Sequence, residues 1–134
     1  MKNLVLLLII MLSAACSKKH GGMQFTPPNT VPSGSQMIHV VYDRTSPIFT
    51  GAIYQSHEFD MNSLFTTVFV TNGLVIDQLG YTDIGGCLVA RGVTGVMYSV
   101  ENNKFSFYFV RNDQAISYAD LWGCEIDLNI GVRQ

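Results

Sequence analysis

The stretch Val96-Met97-Tyr98-Ser99-Val100-Glu101-Asn102-Asn103-Lys104-Phe105-Ser106-Phe107-Tyr108-Phe109-Val110 decides the fold class. Two runs of β-branched and aromatic residues flank a short polar break, which is the pattern of two antiparallel strands joined by a hairpin turn. Phe105, Phe107 and Phe109 recur at period two, so in a strand all three rings fall on one face. That face is the leading candidate for the core, because large rings are more often buried than set out as a binding platform.

The same strand chemistry extends in both directions. Met37-Ile38-His39-Val40-Val41-Tyr42 is β-branched and aromatic, and Leu64 to Val70 is a run of Phe, Thr and Val. His39, inside an apolar strand, reads as a half-buried side chain with a satisfied ring rather than a base. Helical signals are poor: only Asp113 to Leu121 offers a capping Asp with Ile116 and Ala119 on one side, enough for one short turn. The chain therefore predicts a small all-β fold, a sandwich or partly closed barrel of about seven to nine strands.

Comparing the chain with itself suggests that it is built from two related halves, about 50–87 and 94–124. Thr50-Gly51-Ala52-Ile53-Tyr54 recurs as Thr94-Gly95-Val96-Met97-Tyr98, and Phe65, Phe69, Val70 and Asn72 recur as Phe105, Phe109, Val110 and Asn112. Tyr81-Thr82-Asp83-Ile84-Gly85-Gly86-Cys87 recurs as Tyr118-Ala119-Asp120-Leu121-Trp122-Gly123-Cys124. If these are copies, Tyr54 should lie over Tyr98, Phe69 over Phe109 and Asp83 over Asp120, with side-chain facing retained. The repeated Tyr-x-Asp motif has two readings. It is either a pair of ligand sites or, with more physical support, a corner in which Asp bonds nearby backbone N–H groups and Gly supplies a left-handed turn.

The N-terminus carries a different kind of information. Lys2 precedes an apolar run from Leu4 to Leu12, followed by Ser13-Ala14-Ala15-Cys16. The run is far short of the roughly 20 residues that cross a bilayer, so it reads as a secretory signal over residues 1–15. A cysteine directly after the small residues resembles the lipobox of bacterial lipoproteins. That resemblance covers residues 1 to 19 and implies that Cys16 carries acyl chains and becomes the mature N-terminus. It also implies an outer-membrane destination, facing the periplasm or the outside, because Ser17 stands where Gram-negative lipoproteins retained at the inner membrane usually have Asp. Removing 15 of the 134 residues leaves 119, one domain and a tether. From Cys16 to Gln36 the Gly- and Pro-rich segment, including His20, reads as a flexible linker, with the β domain over 37–134.

With Cys16 lipidated, Cys87 and Cys124 remain as an even pair in an oxidising compartment, and a disulfide between them is expected. The rival reading is a reactive thiol, but the neighbours of Cys87 supply no base or positive charge.

Charge and motifs narrow the function. From Met37 onward five basic residues, Arg44, Arg91, Lys104, Arg111 and Arg133, face ten acidic ones, a balance of −5. This argues against a nucleic-acid partner, which needs clustered Lys and Arg. No zinc-hydrolase, Cys-x-x-Cys, nucleophile-elbow, phosphate-loop or EF-hand pattern is present, so neither metal nor cofactor is expected. The polar cluster His57-Glu58-Phe59-Asp60 has poor geometry for one site, since on a strand His57 points away from Glu58 and Asp60. Trp122 is the one Trp, at a Gly-rich turn where an anchoring side chain is expected to be exposed. With Tyr118 and Tyr81 it forms the candidate binding site.

The leading expectation is a non-catalytic, lipid-anchored envelope protein that binds another envelope or surface component, with self-association left open. A small-molecule or carbohydrate-binding module is the alternative, and a cell-wall hydrolase the third.

Overall fold

The computed structural model of the protein describes residues 22–133. The expected signal segment, Cys16 and the lysines beside it lie outside the described residues. Among the described residues ten strands make two antiparallel sheets that face each other across one core. Sheet A takes the order β1 (Gln24–Thr26), β7 (Gly95–Glu101), β8 (Lys104–Arg111), β5 (Thr66–Val70) and β4 (Tyr54–Phe59), with β9 (Gln114–Ala115) paired to the end of β8. Sheet B takes the order β3 (Pro47–Thr50), β2 (Ser35–Tyr42), β10 (Glu125–Arg133) and β6 (Val75–Asp83). The two sheets are separate, so the molecule is a sandwich rather than a closed barrel.

The hairpin reading holds. β7 and β8 pair from Gly95↔Val110 to Glu101↔Lys104, and Asn102 takes the positive φ of 38° that the tight turn requires. Phe105, Phe107 and Phe109 are buried with Val96, Tyr98, Val68 and Val70 on the inner face of sheet A. They meet Ile38, Val40, Leu79, Tyr81, Ile126, Leu128 and Ile130 from sheet B. Each of these sets alternates along its strand, which is the period-two pattern of a sheet with one buried face.

Cys87 and Cys124 form the expected disulfide, with Cα atoms 5.6 Å apart. Cys87 opens the one-turn helix α1 (Cys87–Ala90), and Cys124 follows a 3-10 turn over Tyr118–Leu121 and immediately precedes β10. That turn is capped by Ser117, whose hydroxyl accepts from the Ala119 N–H, and not by Asp113, which sits in a loop with φ 62°.

Two expectations are corrected. The described part of the presumed flexible linker is built into the domain. Gln24–Thr26 pairs with β7, the Asn29 side-chain carbonyl accepts from the Asp83 N–H at 3.0 Å, and the Thr30 carbonyl accepts from Asn129 Nδ2 at 3.3 Å. Residues 27–34 cross from the edge of sheet A onto the outside of sheet B. The strap lies so close to β6 that a Cβ on Gly80 would run into the Thr30 carbonyl. Composition misled here because Pro and Gly mark an irregular path, and an irregular path can still be held by hydrogen bonds.

The second correction concerns the repeated halves. Both contain a sheet-A hairpin and then a 3-10 turn and a cysteine, but side-chain facing is not retained. Phe109 is buried whereas Phe69 lies on the outer face of β5, and Phe105 is buried whereas Phe65 is 38% exposed. Thr50-Gly51-Ala52-Ile53 forms a strand end and turn, whereas Thr94-Gly95-Val96-Met97 runs into a strand. A shift of one residue in a strand exchanges faces, so these matches in sequence order do not describe equivalent positions.

Candidate functional site

The corner that carries Trp122 is assembled by long-range bonds. The Asp83 carboxylate accepts from the N–H groups of Leu88 and Val89 at 2.9 and 2.8 Å, which fixes the start of α1 and so the position of Cys87. The disulfide then carries that position across to Cys124. Arg91, which follows α1, donates from Nη1 to the carbonyls of Asp120 and Trp122 at 2.8 and 2.7 Å. Arg111 pairs with the Asp120 carboxylate at 2.8 Å and donates to the Arg91 carbonyl at 3.0 Å. Finally, the Gly123 N–H donates to the Tyr42 carbonyl and the Tyr42 N–H to the Cys124 carbonyl, at 2.9 and 3.0 Å.

Trp122 is thereby pinned at the end of β2 and packs against the core while staying half-buried. The Arg44 guanidinium carbon lies 5.4 Å from its ring centroid, within the range of a cation–π contact. Val41, Tyr42, Asp43, Arg44, Trp122 and Gly123 line a shallow depression of about 370 Å³. The indole Nε1 is buried without a hydrogen-bond partner. An unpaired buried donor is a costly arrangement.

Tyr118 and Tyr81 are not part of that surface. Tyr118 is 2% exposed and Tyr81 fully buried. The Tyr118 hydroxyl donates to the Asp43 carbonyl, and its ring meets Tyr42 and Trp122 edge-on at 5.9 and 6.5 Å. Tyr81 stands edge-on to Phe109 at 5.0 Å. Both are core rings, placed inward by their strand and turn. Burial, followed by the charge of Asp43, pushes the Tyr118 phenol up to about 12, against the opposing hydrogen bond to the Asp43 carbonyl. Burial and then the Asp83 carboxylate push Tyr81 upward as well. Trp122 alone of the expected trio reaches solvent, and the residue that completes its surface, Arg44, lay outside the expected set. Nothing in the local sequence marks Arg44, because its contact with Trp122 exists only once β2 and β10 have paired.

The other candidate clusters resolve as structure. His57 packs against Phe49 at 4.5 Å, pairs through Nδ1 with the Tyr54 hydroxyl at 2.9 Å, and is lowered in pKa by burial. Glu58 is exposed on the other face of the strand, and Asp60 accepts from the Asn62 N–H in the following turn. His39 Nδ1 meets the Asp127 carboxylate at 2.9 Å and Nε2 meets Glu125 at 3.3 Å on the outside of sheet B. Among the described residues no group of three His, Cys, Asp or Glu side chains is placed to hold a metal ion. At the end of the sandwich, Tyr42, Phe59, Leu64, Ile116 and Leu121 surround a cavity of only about 10 Å³, the size of one water molecule.

Set against family models, curated proteins and solved structures, the chain matches none.

Proposed function

We propose that the chain is a lipid-anchored envelope lipoprotein, tethered through Cys16 to the outer membrane, whose sandwich serves as a non-catalytic binding or accessory subunit. The observation that carries the binding half of this reading is the Trp122–Arg44 pair. A half-buried indole with a guanidinium against its ring sits on a corner fixed by a disulfide and two arginines. Rigid, partly desolvated Trp and Arg side chains are the types that dominate interface energetics, since little entropy is lost when they are covered. The depression is open and shallow, which suits a protein surface presenting a carboxylate or carbonyl to Arg44 better than an enclosed small ligand.

The anchor half rests on the position of Cys16 after Ser13-Ala14-Ala15. Mass analysis of membrane-extracted protein is expected to find an acylated N-terminus at Cys16, and Cys16→Ala to leave the membrane fraction. Soluble, unmodified wild type overturns the anchor. For the binding surface, Arg44→Ala is the cleaner variant, since Arg44 is exposed and Trp122 packs on the core. Cross-linked envelope partners captured by wild type should fall by about tenfold or more with Arg44→Ala, the loss typical of an interface anchor. Equal capture by both proteins removes this site.

A further inference from the structure

The outer face of sheet A carries an apolar row that runs across its strands. Phe25 on β1 pairs with Met97 on β7, and Met97 pairs with Tyr108 on β8. Beyond Tyr108 the same register reaches Phe65, just ahead of β5, whose ring stands edge-on to Tyr108 at 4.9 Å. Phe25 is 51% exposed and Phe65 38%, while Met97 and Tyr108 are half-buried between them. Neighbouring strands lie about 4.8 Å apart, so the row extends across roughly 14 Å of sheet. Phe25 is seated deliberately: its ring lies over Gly95, where a Cβ would have no room.

We infer that this row rests on the lipid surface beside the anchor, so that the domain lies on the membrane through the outer face of sheet A. The inference takes the Cys16 anchor as its premise. Its first support is the short chain between lipid and fold. Because Gln24–Thr26 belongs to sheet A, seven residues separate Cys16 from the first strand. Fully extended, they reach no more than about 30 Å. Phe25 follows Cys16 by nine positions, and Met23, 38% exposed, adds apolar surface beside it. The lipid therefore enters the molecule at the edge of the very face that carries the row.

The second support is charge. The outside of sheet B displays Glu125 and Asp127 around His39, whereas on the outer face of sheet A the charges, Glu58 and the Glu101–Lys104 pair, stand beside the row and the row itself includes no charged residue. Anionic headgroups repel the centre of the first face and leave the uncharged row free to approach. An apolar row with a polar remainder is the arrangement of an element lying in the interface, where side chains enter to about 5–10 Å.

The test uses the acylated full chain reconstituted into vesicles of phosphatidylcholine with a fraction of anionic phosphatidylglycerol, whose acyl chains carry bromine, a contact quencher of indole emission. Phe65→Trp and Phe25→Trp place a reporter in the row, and Ile48→Trp places one on the outside of sheet B, where Ile48 is 52% exposed. The Trp122 emission common to all is subtracted. Row reporters are expected to shift to the blue and lose most of their added emission, while the Ile48→Trp reporter keeps its own. If protein that floats with the vesicles shows equal emission from both faces, docking through sheet A is overturned although the anchor stands. If cross-linking also traps dimers that Phe65→Ser abolishes, the row belongs to a second copy and the membrane assignment is likewise overturned. Wild type that fails to float removes the anchor itself and the inference with it.

Discussion

The Thr26 hydroxyl donates to the Leu79 carbonyl at 3.1 Å, which ties the edge strand of sheet A to the edge strand of sheet B. Thr26 is buried and its backbone pairs with Val96, so one residue serves both sheets. Thr26→Val keeps the shape and leaves a buried carbonyl without its donor. The expected loss is about 1–3 kcal/mol, read as a lower urea midpoint with unchanged slope.

Gly80→Ala tests the strap over sheet B. The added methyl has no space beneath the Thr30 carbonyl and touches Pro32, so residues 27–34 must lift. The expected cost is about 1–3 kcal/mol, as for other overpacked sites. Limited proteolysis should show new cleavage between Pro27 and Gly34. A variant as resistant and as stable as wild type contradicts the close packing.

Reduction of the Cys87–Cys124 bridge should destabilise strongly. The bridge closes a loop spanning 37 positions, worth about 4 kcal/mol in the chain-entropy description. Cys87→Ser with Cys124→Ser, or wild type in reductant, should lower the urea midpoint accordingly, and Arg44-dependent capture should weaken as the Trp122 corner loosens. Unchanged stability on proven reduction counts against the bridge as a structural element.

His57 gives a pH signature. Burial lowers its pKa in the folded chain below the ordinary 6.5, so beneath that pH the unfolded chain binds its proton first. Stability contributed by neutral His57 is full above about 6.5 and is lost progressively as pH falls through the folded pKa. His57→Gln, which can still meet the Tyr54 hydroxyl, should flatten the stability profile as pH falls below about 6.5 relative to wild type. Parallel profiles for the two proteins would reject the assignment.

The fold was legible where one strand carried its own evidence. The alternation of Phe105, Phe107 and Phe109 locates the core face from sequence, and the pairing of Cys87 with Cys124 followed once export was read from the N-terminus. Asp83 also behaves as its turn chemistry suggests, since its carboxylate bonds the Leu88 and Val89 N–H groups. What the sequence hides is anything set by register between distant strands. Tyr81 and Tyr118 look alike in their motifs and are both buried, Asp120 takes Arg111 as partner where Asp83 takes backbone, and Arg44 meets Trp122 only through sheet pairing. The strap was missed for a related reason: Pro27, Pro28 and Pro32 lower β propensity, whereas the bonds from Asn29 and Thr30 that hold it are formed with β6 and β10.

The placement of β10 has a consequence for how the molecule comes into being. β10 is the last of the ten strands among the described residues, yet in sheet B it lies between β2 and β6, with Val40 opposite Ile126 and Tyr81 opposite Leu128. A chain emerging N-terminus first from the ribosome exposes Ile38 and Val40 long before their partner arrives. Until then β2 and β6 are open edges that invite pairing with other chains. Maturation is thus all-or-none and late, with slow, non-local closure, and the nascent protein depends on being kept apart from its neighbours until β10 arrives.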